Sequence, residues 1–131
     1  MFKRILLAYD GSEPAHKAFD ECLEMSRRFA AELTIITVVR PPDYADDIGG
    51  EFQHELGKLR AQACAAGAAS PMVHVRVGND TAEQIIAAAE ECEADLIVTG
   101  QRRRARLQRW LPRSVERTVL KSARCAVLVV R

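Results

Sequence analysis

The chain has 131 residues, of which 48% are hydrophobic and 28% charged, with a net charge of +1. That length fits one domain, and the composition is that of a globular protein with little room for extended disorder. No run approaches the roughly 18 apolar residues that a spanning helix needs, and "MFKRILLAYDGS" is interrupted by Asp10 with no small-residue cleavage site after it, so a cytoplasmic protein without a signal peptide is expected.

"FKRILLAY" predicts a first strand, closed by "DGSEP", a turn into a helix. Ala15, Ala18, Phe19, Cys22, Ser26, Phe29 and Ala30 recur at three- and four-residue steps and form the helix's buried stripe. "ELTIITVV" is a second strand, and its near-continuous apolar character implies burial on both faces. "RPPDYADDIGG", with two prolines and two glycines, predicts an exposed connection. Phe52, Leu56, Leu59, Ala63 and Ala66 mark a second amphipathic helix, and "PMVHVRV" alternates as a third strand with His74 and Arg76 on one face. In "GNDTAEQIIAAAEECEADLIVTG", Asp80 and Glu83 have the spacing of a capping box. Ile85, Ile86, Ala88, Ala89 and Cys92 are that helix's buried stripe, and a fourth strand follows. After the basic "QRRRARLQRWLPR" come a helix carrying Val115, Thr118, Val119 and Ser122 and a fifth strand, "CAVLVVR".

This alternation predicts one α/β domain over residues 1–131: a three-layer open sandwich in which a five-stranded parallel sheet carries helices on both faces, joined by right-handed crossovers. An apolar fifth strand at a sheet edge leaves a ladder unpaired. Pairing with a second copy is its readiest relief, so a homodimer through the C-terminal strand edge is expected.

Charge is unevenly spread. Residues 101–131 hold ten Lys or Arg against the one acid Glu116, a net +9, which leaves the first hundred residues at −8. The asymmetry points to an anion-facing end on an acidic body. Six arginines crowd into 102–113: Arg102, Arg103, Arg104, Arg106, Arg109 and Arg113. The bland alternative is a solvated loop tucked onto the sheet by Trp110 and Leu111. Nucleic-acid binding is disfavoured, because Trp110 is the lone interleaved aromatic and no reading motif is present.

Other candidate chemistry is sparse. Cys22, Cys64, Cys92 and Cys125 lack any C-x-x-C spacing, which excludes a zinc site or disulfide framework and leaves reduced packing residues. Cys125 has Lys121 and Arg124 close by in sequence, which could favour a reactive thiolate. His16, His54 and His74 fall in different elements and make no metal set. Glu90, Glu91, Glu93 and Asp95 read as the end of a solvated helix rather than as paired catalytic acids.

Open α/β sheets bind ligands at the carboxyl ends of strands, where strand order reverses. Two loops stand at such ends, "AYDGSEP" and "TGQRRRARLQRWLPRS". Asp10 can bind a metal held by phosphates, orient a ribose hydroxyl, or cap the next helix together with Ser12. A phosphorelay receiver has the same layering, but it wants an acidic pair and a phospho-acceptor Asp where this chain offers Asp10 alone and Thr99.

"ILLAYDGSEPAHKAF", "ADLIVTG" and "SVERTVLKSARCAVLVVR", in this order over essentially the whole chain, resemble the universal stress protein family. The resemblance implies a sheet of order 3-2-1-4-5, dimerisation and a role in surviving stress. Many members bind ATP through G-x-x-G, nine residues, then G-[ST], where glycine lets the backbone curl close to a polyphosphate. Here Gly100 fills the first position, Arg103 and Arg113 replace the other two glycines, and Ser114 keeps the hydroxyl. Guanidinium groups at those positions would crowd the phosphates. The chain therefore sides with members that lack the glycines and do not bind ATP: a non-enzymatic protein with no cofactor, acting on a protein partner or small anion. The alternative is a nucleotide-binding regulator, at most a weak ATPase, whose arginines grip phosphate from the side. In that case the family pattern puts Ala8 and Asp10 near the ribose and phosphates, Val38 beside the adenine, and Gly100, Ser114 and Val115 at the phosphates with Arg103 and Arg113.

Overall fold

A computed structural model describes residues 2–41, 48–101 and 113–131, with residues 48, 49, 113 and 114 described by backbone alone. Strand β1 (Arg4–Ala8) is buried from its second residue onward and forms the middle of the sheet. It pairs in parallel with β2 (Glu32–Val39) on one side and β4 (Leu96–Gly100) on the other; β3 (Met72–Val77) and β5 (Ala126–Val130) lie at the edges. The order is therefore β3-β2-β1-β4-β5, all parallel, as expected. The chain works outward to β3, then returns across β1, so strand order reverses between β1 and β4.

Successive side chains of a strand alternate between faces, so a strand covered on both sides must be apolar without interruption. Ile5 and Leu7 enter one core with Phe19, Leu33, Ile35 and Val98, beneath α1 (Glu13–Phe29) and α2 (Ile48–Ala65). Leu6 and Ala8 enter the other with Ile36, Ile85, Ile97 and Val119, beneath α3 (Thr81–Glu91) and α4 (Arg113–Ser122).

Helix boundaries follow local chemistry. Ser12 caps α1, its Oγ accepting from Ala15 N at 3.2 Å, and Pro14 falls in the first turn where a missing N–H costs nothing. The helix stops at Ala30, which turns left-handed (φ 53°). The expected stripe accordingly holds to Ser26 and fails beyond it: Ala30 is exposed, and Phe29 is 37% exposed and meets Phe2 edge-on at 6.1 Å between centroids. Helix α2 begins at Ile48, so the end of the expected connection is its first turn, and Ala66 lies just past its C-terminus. Asp80 caps α3 by accepting from Glu83 N at 3.1 Å. Ala82, Ile85, Ala88 and Ala89 are buried on that helix, while Ile86 and Cys92 are half-buried. On α4 Val119 is buried, whereas Thr118 and Ser122 are exposed.

At the amino end of the sheet Asp95 clips β1 to the approach to β4, its carboxylate accepting from Lys3 N (2.8 Å) and Arg4 N (3.1 Å). Burial opposes the charge, but these bonds, Asp95's own N–H and the Arg4 guanidinium outweigh it and hold the carboxyl below the usual range. A depressed folded-state pKa contributes stability above the unfolded value, about 3.9, that is lost as pH falls through the folded one. Acid unfolding followed by circular dichroism is expected to show Asp95→Asn less stable by about 1 kcal/mol near neutrality, with the difference closing below about pH 4. A constant offset down to pH 2 would remove the carboxylate from this account.

Candidate functional site

The reversal between β1 and β4 leaves a cleft at their carboxyl ends. Ala8 and Ile85 line both of its small cavities. One continues along Thr99, Gly100, Val115 and Glu116, the other along Asp10, Thr37, Val38 and Thr81. Each has a volume of about 10 Å³, close to what one water needs.

Asp10 faces its own loop. Its Oδ1 accepts from Ser12 N (3.0 Å) and from Ser12 Oγ (2.5 Å), and the Ser12 hydroxyl oxygen in turn accepts from Ala15 N. Gly11 between them has φ +81°, a conformation that costs glycine little and other residues more. Of the three roles open to Asp10 on sequence, the helix-cap network is the one the geometry displays.

Gly100 acquires a different meaning. A Cβ built there would lie 2.5 Å from Ala15 N, 2.5 Å from Pro14 C and 2.7 Å from Pro14 O. The end of β4 and the first turn of α1 thus pack backbone against backbone, which no side chain at position 100 would permit. Sequence pattern assigned this glycine to phosphate; packing requires it independently.

Of the other candidates, Ala8 is buried and Val38 and Val115 are half-buried in the cavity walls. Arg103 lies outside the described residues, as do Trp110 and Leu111; Arg113 and Ser114 open α4, described by backbone alone. Ala8, Asp10, Val38, Gly100 and Val115 are therefore brought together around one cleft.

A network next to the cleft was missed by sequence reasoning. Tyr9 is anchored by its backbone, N to Ile36 O (2.8 Å) and O from Thr37 Oγ1 (2.8 Å), and its ring is buried in the α1/α2 core. Its hydroxyl donates to Glu55 Oε1 (3.1 Å) and lies 2.9 Å from His16 Nε2. With the one hydroxyl proton given to Glu55, His16 Nε2–H is the donor to Tyr9. Burial first, then the Glu55 charge, pushes the Tyr9 phenol well above its ordinary value. His16, no part of a metal set, thus links α1 to β1 and, through Tyr9, to Glu55 of α2. No sequence signal announces this, because the three groups come from separate elements.

Three of the thiols, Cys22, Cys92 and Cys125, are pushed toward the neutral form. Burial, then the Asp95 charge, raises Cys125, which overturns the expectation that Lys121 and Arg124 would favour its thiolate. Burial likewise raises Cys22 and Cys92, while Cys64 is exposed and packs in no core. The acidic run has structural partners: Arg76 donates to Glu91 at 3.2 and 2.9 Å, bonds that hold the Glu91 carboxyl low, and Asp95 clips β1. Among the described residues no group of three or more His, Cys, Asp or Glu could hold a metal. His74 and Arg76 do share a face, lining with Met72 a groove of about 550 Å³ between β3 and α3.

The model of the universal stress protein family matches residues 1–131. The universal stress protein YxiE of Bacillus subtilis is 28% identical over 150 residues, covering 100% of both chains. A universal stress family protein from Burkholderia pseudomallei has a crystal structure that superposes with a TM-score of 0.81 at 30% identity, over 98% of this chain and 95% of that one. A universal stress protein in complex with cAMP superposes at 0.76 with 25% identity, over 99% and 97%.

Proposed function

This chain belongs to the universal stress protein family, and on that premise we propose that it is a small, homodimeric, non-enzymatic stress-response protein of the cytoplasm whose cleft does not hold ATP. The observation that carries the reading is the narrowness of the strand ends: among the described residues each cavity there has the room of about one water. The sequence adds Arg103 and Arg113 where the family pattern has glycines. Gly100, the glycine that remains, has a packing duty of its own. Such a protein acts by engaging another protein or a small anion. Dimerisation through β5 is supported by its place at the sheet edge and by Leu128, 38% exposed on it.

The cAMP-bound relative favours a second reading, in which the Val38 side of the cleft still accepts an adenine base. Isothermal titration separates the two. ATP, with and without magnesium, is expected to give no saturable heat below about 1 mM, a binding free energy weaker than roughly −4 kcal/mol. A micromolar dissociation constant, or ATP carried through purification, would establish the second reading instead.

A further inference from the structure

On the α3 side of the sheet, α3 and α4 pack over a core built from β1, β2 and β4, while on β3 Met72 is 52% exposed and His74 is exposed as well. The result is the groove of about 550 Å³ between β3 and α3, a volume within the roughly 300–1,000 Å³ that small-molecule sites take. Ile36, Met72 and Ala88 give it apolar walls. The described residues that line it belong to β2, β3, α3 and the approach to β3, whereas residues 102–112 join β4 to α4.

Arg76 is the cation set most deeply into this groove, its side chain 23% exposed. Gln84 Oε1 accepts from its Nε at 3.1 Å and fixes the plane of the guanidinium, whose two η nitrogens fork onto the Glu91 carboxylate at 3.2 and 2.9 Å. Glu91 is 64% exposed and ends α3, where the helix dipole disfavours a negative charge. The Arg76 hydrogen bonds first, then its charge, with the His74 ring adding a smaller pull, hold that carboxyl low. The groove thus displays a bidentate carboxylate site, filled by a side chain whose exposed pairing ties it down only weakly. The other carboxylate of the lining, Glu32, is 71% exposed and pairs with Arg4.

We propose that this groove binds a small amphipathic carboxylate, a molecule with one carboxyl group and an apolar body, whose carboxylate displaces Glu91 from Arg76 while the body lies along Ile36, Met72 and Ala88. Glu91 is then a built-in competitor that returns to water when released. A neutral molecule offers the fork nothing, and a bare carboxylate leaves the apolar walls wet. Among the described residues the groove shares only Ile36 with the strand-end cavities, and the proposal holds whether or not those take a nucleotide.

The test titrates the full chain with octanoate, octan-1-ol and acetate and follows the backbone amides by NMR. Octanoate is expected to bind at least about tenfold more tightly than either of the others, the difference that a charge-assisted fork on an apolar wall makes. Its largest shifts are expected at Met72, His74 and Ala88, with small ones at Asp10 and Gly100. Glu91→Gln weakens the competitor and is expected to tighten octanoate about threefold while leaving octan-1-ol unchanged. Arg76→Lys keeps the charge but loses the fork, and is expected to weaken octanoate roughly fivefold, the worth of one hydrogen bond. Matching melting temperatures for the variants exclude a merely structural effect. Equal affinities for octanoate and octan-1-ol, or for octanoate and acetate, overturn the proposal. So does a Glu91→Gln variant that leaves octanoate binding unchanged or weaker, or a set of shifts centred on Asp10 and Gly100, which would put the molecule in the cleft.

Discussion

Replacing Gly100 by alanine is expected to lower the melting temperature by roughly 4 to 11 °C, from an overpacking cost of about 1–3 kcal/mol spread over a domain of this size. The added Cβ would sit 2.5 Å from both Ala15 N and Pro14 C. These are backbone atoms of a helix already fixed by the Ser12 cap, so neither can swing aside as a long side chain would. Relief requires α1 to lift from β4, which loosens Ala15, Ala18 and Phe19 in the core beneath it. Differential scanning calorimetry without ligand gives the measurement. An unchanged melting temperature would mean that the strand end tolerates a side chain and that this glycine has no packing duty.

The second large effect concerns assembly. Sedimentation at micromolar concentrations is expected to give twice the 14.5 kDa chain mass, and Leu128→Lys to give the single mass. Among the described residues β5 is bonded to β4 on one side only, and Leu128 projects from it 38% exposed. Charges on an edge strand oppose edge-to-edge pairing at little cost to the fold, since the lysine head group can reach water. Circular dichroism of the variant should therefore stay native-like. A dimer that survives Leu128→Lys, or an unaltered chain that sediments as a monomer, removes this edge from the assembly.

The fold was legible because burial on both faces writes itself into the chain as unbroken apolar runs. "ELTIITVV" coincides with Glu32–Val39, and the Asp80 cap opens its helix where the capping pattern stands. Errors fell at ends, where backbone geometry and not periodicity decides. Phe29 continues the apolar spacing of α1, yet the left-handed turn at Ala30 carries the chain away and leaves it beside Phe2. At the site, the family motif led to Ala8, Asp10, Val38, Gly100 and Val115, which do surround one cleft. It did not lead to Glu116, whose place in the wall depends on how α4 leans over β1 and β4. Nor could it show Gly100 pressed against Pro14, some 85 residues earlier by sequence but in direct van der Waals range. Tyr9, His16 and Glu55 were invisible for the same reason: a hydrogen bond between elements leaves no local pattern.

The Asp95 clip also sets an order of events during synthesis. Lys3 and Arg4 find their carboxylate partner 92 and 91 residues later, and β1 finds its second neighbour, β4, over the same span. At ribosomal rates of about 5–20 residues per second, this leaves one side of β1 without its partner for roughly 5 to 20 seconds after it emerges. Throughout that interval "ILLA", destined for the centre of the sheet, presents an open apolar edge. The middle strand of the finished protein is thus the part of the nascent chain that waits longest for its second partner.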